Sequence, residues 1–273
     1  MSLNFDPTLR PGPSDMESRE FRPDCPLSFT HRFQPTLKDA EEVRSILEHK
    51  VPPELAIQIV SLGYNPWVVK RKFHEQEYLP DYSKPDAEHY VAGLYLTSEC
   101  VPDDGRNVVP RRVIFQTSAA YEGYTASHGK DSFLNSHTRF DASILRPLYP
   151  KTDGKDRDSP LEDVFRETWW DPESAAEALR ERGWCFVAAE DGRIEWSVCN
   201  NSEASNDFQE YEVEWTRGVQ GEVDDCFGLP GKGDGFLELL KPGYIVVLWV
   251  RTGMRCWVNR IRAATIEIEY ELL

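Results

Sequence analysis

The amino-acid sequence predicts a mainly β protein, an antiparallel β-sandwich of the jelly-roll or galactose-binding-like kind. After Tyr90 the apolar side chains recur with a period of two, whereas before it they recur at helical spacing. Residues 210–215 and 265–272 alternate acidic and apolar side chains, which is typical of strands with one buried and one solvated face. About eight or nine short strands joined by turns favour a sandwich over a parallel sheet with crossover helices.

Changes in composition and period divide the chain into three parts. Residues 1–35 are rich in proline and predict an extended arm, and residues 36–90 predict a short helical module. Residues 91–273 form the predicted sandwich, which is interrupted at about 150–183 by a charged loop and two segments of helical composition. We therefore expect a mainly helical insertion between strands of the sandwich.

Two helices are expected in the N-terminal module. The first begins at Thr36, which with Asp39 resembles a capping box, and it ends near Lys50. The second begins at a proline pair, residues 52–53, and ends at Gly63. The apolar face of this second helix consists of side chains at helical spacing: Leu55, Ile59 and Leu62.

The segment between the helices and the sandwich has no clean period. Residues 64–88 are rich in charged and aromatic side chains, and we expect irregular structure there with a short helix near 68–74. The strongest local signal in the sandwich is Asp191-Gly192 between apolar runs at 184–189 and 194–198, which predicts a hairpin with a primed turn.

Further strands follow from alternation and apolar runs. We expect them near 91–96, 112–116 and 139–148, and the uninterrupted apolar run at 244–250 predicts a central strand. A short helix or turn is expected at 236–240. The last two predicted strands cover residues 256–262 and 265–272.

Charge and cysteine spacing exclude several classes of function. The net charge of −16 opposes binding to nucleic acid and to anionic membranes. The six cysteines are scattered, without a C-x-x-C pair or a Cys/His pair at zinc spacing, so we expect no metal, and no motif predicts a cofactor. The N-terminal residues lack the apolar core of a secretory signal and no apolar run could span a membrane, which predicts a cytoplasmic or nuclear location.

Two stretches resemble known families. Residues 51–60, Val-Pro-Pro-Glu-Leu-Ala-Ile-Gln-Ile-Val, resemble the opening of an F-box, with Val51 at the position of the usual leucine. Roughly residues 90–273 are similar, in the order of their segments, to an uncharacterised β-rich domain common in fungal proteins and often preceded by an F-box-like or ankyrin segment. The segments that carry this similarity are 111–115, 138–144, 210–215, 235–249 and 253–268.

The resemblance to the fungal domain implies a fold and a domain order but no activity. That family usually has a Ser-His-Asp-Gln-Gly-Trp-like loop after the first of these strands. Here residues 117–124 read Thr-Ser-Ala-Ala-Tyr-Glu-Gly-Tyr and lack the His, Asp and Gln, so any function of that loop differs in this chain.

Two long loops carry the first group of candidate binding residues. His128 lies with Tyr121 and Tyr124 in a polar loop, where the rings and an acid–base group could form a small-molecule site. Asp224 and Asp225 precede a glycine-rich loop that does not match a phosphate-binding motif. The structural alternatives are a surface histidine with packed tyrosines and a solvated acidic loop.

Arginines near the C-terminus form the second group. Arg251 and Arg260 lie close in sequence to Trp257 and Asn259, and Arg255 and Arg262 also belong to this segment. Guanidinium groups beside an aromatic ring suit an anionic ligand such as a carboxylate, a phosphate or an acidic peptide. The alternative is a set of cross-strand ion pairs with the glutamates at 210–214 or 267–271.

The leading hypothesis for function is a ligand- or protein-binding module that could act as an adaptor. It rests on the F-box-like helical segment, the sandwich and the lack of a catalytic motif. The alternative is an enzyme acting on a small organic molecule, in fungal secondary metabolism, with acid or base groups in the sandwich loops. A deep apolar cavity with a convergent histidine and carboxylate would favour the enzyme.

Overall fold

The protein is an antiparallel β-sandwich, as the sequence predicts. We analysed a computed structural model, which describes residues 27, 32–80, 90–103, 105, 107–122, 137–149, 161, 163–201, 207–219, 231–253 and 257–272. The helices are α1 Leu37–Glu48, α2 Pro53–Ser61, α3 Ala176–Glu181 and α4 Phe236–Leu239. The strands are β1 Trp67–Lys72, β2 Gln76–Tyr78, β3 Val91–Thr97, β4 Val108–Glu122, β5 Thr138–Pro147, β6 Thr168–Trp169, β7 Trp184–Phe186, β8 Trp196–Asn200, β9 Gln209–Thr216, β10 Ile245–Thr252 and β11 Val258–Leu272.

Two sheets make up the sandwich, and every strand pair in them is antiparallel. The first sheet has the order β1-β11-β4-β9, with β2 following β1 along the same edge of β11. The second has the order β6-β3-β10-β5-β7, with β8 also paired to β5. Strand β10 is fully buried and lies between β3 and β5, which confirms the predicted central strand.

The main core fills the space between the two sheets. Phe115 and Trp215 of the first sheet pack edge to face with ring centroids 5.0 Å apart, and Phe236 of α4 packs against both. A second apolar cluster covers the opposite face of the second sheet, where Trp249 and Leu94 meet Leu179 of α3. The insertion between β5 and β7 therefore serves as a third layer over this sheet.

Helix α1 begins where the sequence predicts. The Thr36 hydroxyl accepts a hydrogen bond from the backbone N–H of Asp39, and the Asp39 carboxylate accepts one from the backbone N–H of Thr36, which completes the capping box. The hydrogen bonds that the Asp39 carboxylate accepts from the backbone N–H and the hydroxyl of Thr36 lower the pKa of Asp39. Helix α2 has proline in its first turn and Leu62 as its C-cap, one residue before Gly63. None of the helices within the described ranges is long and apolar enough to cross a membrane.

The expectation of irregular structure with a short helix near 68–74 is wrong. Strands β1 and β2 lie in this segment, and the N-terminal module therefore contributes to the first sheet. Charged side chains hide the strand pattern, since Lys70 and Arg71 follow Val68 and Val69 directly. This segment forms strands because β11, a 15-residue strand, has an edge that would otherwise be open and that supplies backbone hydrogen bonds to β1 and β2.

The predicted hairpin is also wrong, although its turn forms. Strands β7 and β8 do not pair with each other but follow one another along β5. Between them, Ala189 N–H donates to the Arg193 carbonyl at 2.8 Å and Gly192 N–H to the Ala189 carbonyl at 3.0 Å. Gly192 has a φ of 84°, so the turn is a three-residue loop with glycine in the left-handed conformation.

The C-terminal segment forms one strand rather than two. Trp257, Asn259 and Ile261 face inward and are buried, as alternation predicts. Arg262 then forms a β-bulge, since Ile261 pairs with Ala119 but Ala263 pairs with the next residue, Ser118. After the bulge the inward positions become the even-numbered ones, including Ile266 and Ile268.

The helical prediction holds for only part of the insertion. Residues 172–182 are largely helical, with a 3-10 turn at Glu173–Ala175 leading into α3. Residues 163–170 instead contain a 3-10 turn at Val164–Arg166 and strand β6. Strand β6 pairs with the edge of β3, where the ring of Trp169 packs 6.2 Å from that of Trp249.

Candidate functional site

The structure describes five of the nine side chains that the sequence analysis predicts to bind a ligand. The other four lie outside the described residues: Tyr124, His128, Asp224 and Asp225. Tyr121, Trp257 and Asn259 lie together where β4 ends and β11 begins, and Arg251 lies near the end of β10, which leads to β11. We call this region the loop end of the sandwich.

A ring cluster occupies the loop end. Tyr121 and Trp257 stack face to face with centroids 5.1 Å apart and planes only 4° from parallel. The exposed ring of His137 meets Trp257 edge on at 4.9 Å. Because Tyr121 and Trp257 are almost fully buried, they support the loop end as packing groups and present little surface to a ligand.

Asn259 joins the two sheets beside this ring cluster. Its Nδ2 donates to the backbone carbonyl of Arg251 at 3.0 Å, and its Oδ1 accepts from Asn201 Nδ2 at 3.0 Å. Asn201 Nδ2 also donates to the Thr138 hydroxyl at 3.1 Å. Asn259 thus connects β11 of the first sheet to elements of the second, which is a structural role for a residue that we expected to bind a ligand.

Arg251 is buried within a charge cluster on the outer face of the second sheet. Its Nη1 donates to Asp141 Oδ2 at 3.1 Å and to Glu195 Oε2 at 2.7 Å. Arg139 Nε donates to both oxygens of Asp141, at 3.0 and 3.2 Å. Burial raises the pKa of Glu195, the charge of Asp141 raises it further, and Arg251 opposes both effects. Two guanidinium and two carboxylate groups are therefore linked by hydrogen bonds here.

Arg260 lies on the other sheet and forms no cluster with Arg251. Its guanidinium pairs with Glu75 at 2.9 Å and Glu77 at 3.1 Å, and it lies 5.4 Å from the ring centre of Phe208. Arg262 lies closer to the same ring, at 4.5 Å, and donates to the Ser118 hydroxyl at 2.8 Å.

Three of the glutamates expected as partners for these arginines pair with other arginines. Glu269 accepts from Arg112 Nε at 2.7 Å, and Glu271 accepts from Arg111. Arg32, which precedes α1, binds Glu212 on the same outer face of the first sheet. Arginines of the sheet itself and of the N-terminal segment therefore pair with these three glutamates on the outer face of the sheet.

An exposed aromatic pair lies at the loop end, and the sequence did not predict it as part of a binding site. Tyr90 and Trp170 pack edge to face with centroids 5.5 Å apart, although the residues are distant in sequence. The side chains are 42% and 39% exposed, respectively. A tyrosine at the start of a strand and a tryptophan in an insertion give no signal of proximity, because only the β3–β6 pairing brings them together.

The apolar face predicted for α2 is present, but it faces outward. Leu55, Ile59 and Leu62 are 47%, 42% and 87% exposed, whereas Ala56 and Val60 are buried. Ile46 of α1 and Phe33 before it are also exposed. We call Leu55, Ile59 and Leu62 the outward face of α2.

A groove of about 580 Å³ lies on the other side of α2, between both helices and the end of β11. Its lining is mixed, with Val60 and Leu272 beside the ion pair that Arg44 Nε and Glu48 Oε1 form at 2.7 Å. No group of three or more His, Cys, Asp or Glu side chains in the described ranges is arranged to hold a metal ion.

No protein-family model matches the chain, and no curated protein matches it. VP1 of Trichodysplasia spinulosa-associated polyomavirus aligns at 8% identity with a TM-score of 0.14, over 74% of this chain and 95% of that chain. Merkel cell polyomavirus VP1 in complex with GD1a oligosaccharide aligns at 10% identity with a TM-score of 0.15, over 74% and 94%. TM-scores this low indicate neither a shared fold nor a shared function, so the fold assignment rests on the strand pairing described above.

Proposed function

We propose that this protein is a protein-binding module that acts as an adaptor, with the outward face of α2 as the docking surface for its partner. The observation that carries the proposal is the orientation of α2. Its regularly spaced leucines and isoleucine face solvent, whereas amphipathic helices normally turn such a face toward a core. Contiguous exposed apolar side chains are a mark of interaction surfaces.

The charge of the chain favours a different protein over a second copy as the partner. Two chains of net charge −16 repel each other, and an anionic membrane would repel the chain in the same way. Leu55, Ile59 and Leu62 occupy positions i, i+4 and i+7. A partner protein with an apolar groove could bind these three side chains as anchors, which is the common mode by which a helix binds a groove. The resemblance of residues 51–60 to an F-box supports the same assignment, since these residues include the start of α2.

The test is co-purification of the tagged full chain from its native cells. We would compare the wild type with Ile59→Glu and Leu62→Glu, and with Val219→Glu as a matched control that adds the same charge to an exposed apolar residue just after β9, at the opposite edge of the first sheet from β1. We expect at least one stoichiometric protein to be lost from both α2 variants and retained by the control. Direct binding of that purified protein should then weaken at least tenfold in each α2 variant.

Retention of every co-purifying protein by both α2 variants would contradict the proposal. So would concentration-dependent dimerisation of the wild type that Leu62→Glu abolishes, because the face would then bind a second copy. Among the described residues, no observation favours the alternative of an enzyme, whose proposed acid or base, His128, lies outside them.

A further inference from the structure

We propose that the exposed patch formed by Tyr90, Trp170, Arg139 and Glu195 binds an uncharged polyhydroxylated ligand, such as a neutral glycan. The patch lies at the loop end of the sandwich, apart from the outward face of α2, and the inference is independent of the proposed adaptor function. Its two rings are in contact at 5.5 Å and both reach solvent.

The polar groups of the patch are held in place by buried partners. Asp141 is buried and binds both Arg139 and Arg251, and Arg251, also buried, holds Glu195 at 2.7 Å. Tyr90 packs against Gly253, where an added Cβ would lie 3.0 Å from the tyrosine ring. A ligand would therefore meet side chains whose orientation is already fixed, which reduces the entropy lost on binding.

Several hydrogen-bonding groups of the patch have no partner among the described residues. Arg139 uses only Nε in its bonds to Asp141, so its two terminal nitrogens have no acceptor among the described residues. Glu195 accepts through Oε2, and its Oε1 accepts no hydrogen bond from the part of the chain that the structure describes. The indole N–H of Trp170 and the hydroxyl of Tyr90 are also unused within the described ranges, so the patch offers both donors and acceptors.

These features select one chemical class of ligand. Asp171 adds its negative charge to those of Glu195 and Asp141, so the surroundings contain three carboxylates against two guanidinium groups and oppose an anion. The guanidinium of Arg139 beside Tyr90 opposes a cation on that ring. A neutral sugar carries no charge and therefore avoids both repulsions. Its C–H face can pack on an aromatic ring while its hydroxyls both donate and accept hydrogen bonds.

The test is native affinity electrophoresis of the full chain in gels that contain one of four neutral polysaccharides: mixed-linkage β-glucan, xyloglucan, galactomannan or amylopectin. We expect retardation by at least one of them. Trp170→Ala and Tyr90→Ala should each weaken this interaction about tenfold. Tyr149→Ala should leave it unchanged, since Tyr149 is an even more exposed ring, 74% against 42% and 39%, just beyond the opposite end of β5. Thermal melting should show that all three variants remain folded.

Two further variants separate binding from folding. Glu195→Gln preserves shape and, through its amide oxygen, the hydrogen bond from Arg251, so the variant should remain folded while retardation decreases. Trp170→Phe should restore part of the binding lost in Trp170→Ala. The proposal is overturned if none of the four polysaccharides retards the wild type. It is equally overturned if Trp170→Ala binds normally, or if anionic polygalacturonate retards the chain and the neutral polymers do not.

Discussion

Glu267 of β11 and Arg71 of β1 lie on neighbouring strands, with Glu267 Oε1 3.9 Å from Arg71 Nη2. This separation is too long for a hydrogen bond, and neither oxygen of Glu267 has a hydrogen-bond partner among the described residues. The side chain is fully buried. Burial raises the pKa of Glu267, and the nearby Gln34 and Arg71 only partly offset that effect. The outer face of the first sheet therefore contains a buried carboxyl group whose pKa is raised above that of an ordinary glutamate.

Glu267→Gln is expected to stabilise the protein at pH 7, by roughly 1 kcal/mol, because it removes a buried charge and keeps the shape of the side chain. The pKa of Glu267 in the folded protein lies above the ordinary value of 4.5. Protonated Glu267 therefore contributes its full stability to the folded wild type below pH 4.5, and this contribution is lost as the pH rises through the folded pKa. The advantage of the variant should therefore grow over this window. Urea unfolding of both proteins at pH 4.5 and pH 7 measures it.

Glu269→Gln is the matched control for that substitution. Glu269 accepts hydrogen bonds from Arg112 Nε at 2.7 Å and from Asn65 Nδ2 at 3.1 Å, so neutralising it should cost stability at pH 7. Equal effects of the two substitutions, or a gain from Glu267→Gln that does not change with pH, would show that Glu267 is adequately paired in the folded protein.

Arg251 and Arg260 should differ sharply when each is replaced by methionine. Arg251→Met leaves Glu195 without its hydrogen bond and Asp141 with only Arg139, and should cost roughly 3–5 kcal/mol because buried charges lose their partner. Arg260→Met removes ion pairs at the surface and should cost no more than about 1 kcal/mol. Chemical denaturation provides the comparison, and similar losses in both variants would refute the distinction between the two sites.

Asn259→Ala should destabilise the loop end. The substitution removes the bonds to Asn201 and to the Arg251 carbonyl and leaves buried polar groups unpaired, which typically costs roughly 1–3 kcal/mol. Asn107→Ala, at an exposed position, serves as the control. A melting temperature for Asn259→Ala that matches the control would mean that Asn259 does not join the sheets.

Gly93→Ala tests the packing between the second sheet and β2. A Cβ at Gly93 would lie 1.8 Å from a ring carbon of Tyr78, so the ring would have to leave its buried position. We expect a loss of roughly 1–3 kcal/mol or more. Gly63→Ala has open space around the new methyl group and should change stability little. Comparable stability of the two variants would place Tyr78 elsewhere.

Local signals in the sequence predict those elements whose stability is local. The capping box at Thr36 and the uninterrupted apolar run of β10 were sufficient, because the hydrogen bonds or the burial involved follow directly from neighbouring residues. Strand β1 was missed because its pairing depends on β11, almost two hundred residues away in sequence. The hairpin was mispredicted for a similar reason, since β5 offers an edge that both arms can use.

The sequence predicts which residue types lie near the candidate site, but it does not predict which way their side chains face. Tyr121 was expected in a polar loop but lies in strand β4, where its ring stacks on Trp257 and both rings are buried. Leu55, Ile59 and Leu62 share a helical face, as expected, but sequence periodicity does not say whether such a face meets a core or solvent. Only the docking of α1 and α2 on the sandwich determines that.

Site-specific photo-crosslinking most directly tests whether the outward face of α2 binds a protein partner. A photoreactive phenylalanine analogue would replace Leu62, the most exposed apolar residue of that face, and in a second protein would replace Val219. In native cells, we expect a light-dependent adduct of one defined mass at Leu62, absent at Val219, that disappears when Ile59→Glu is added. The absence of any adduct at Leu62, or the same adduct at both positions, would contradict it.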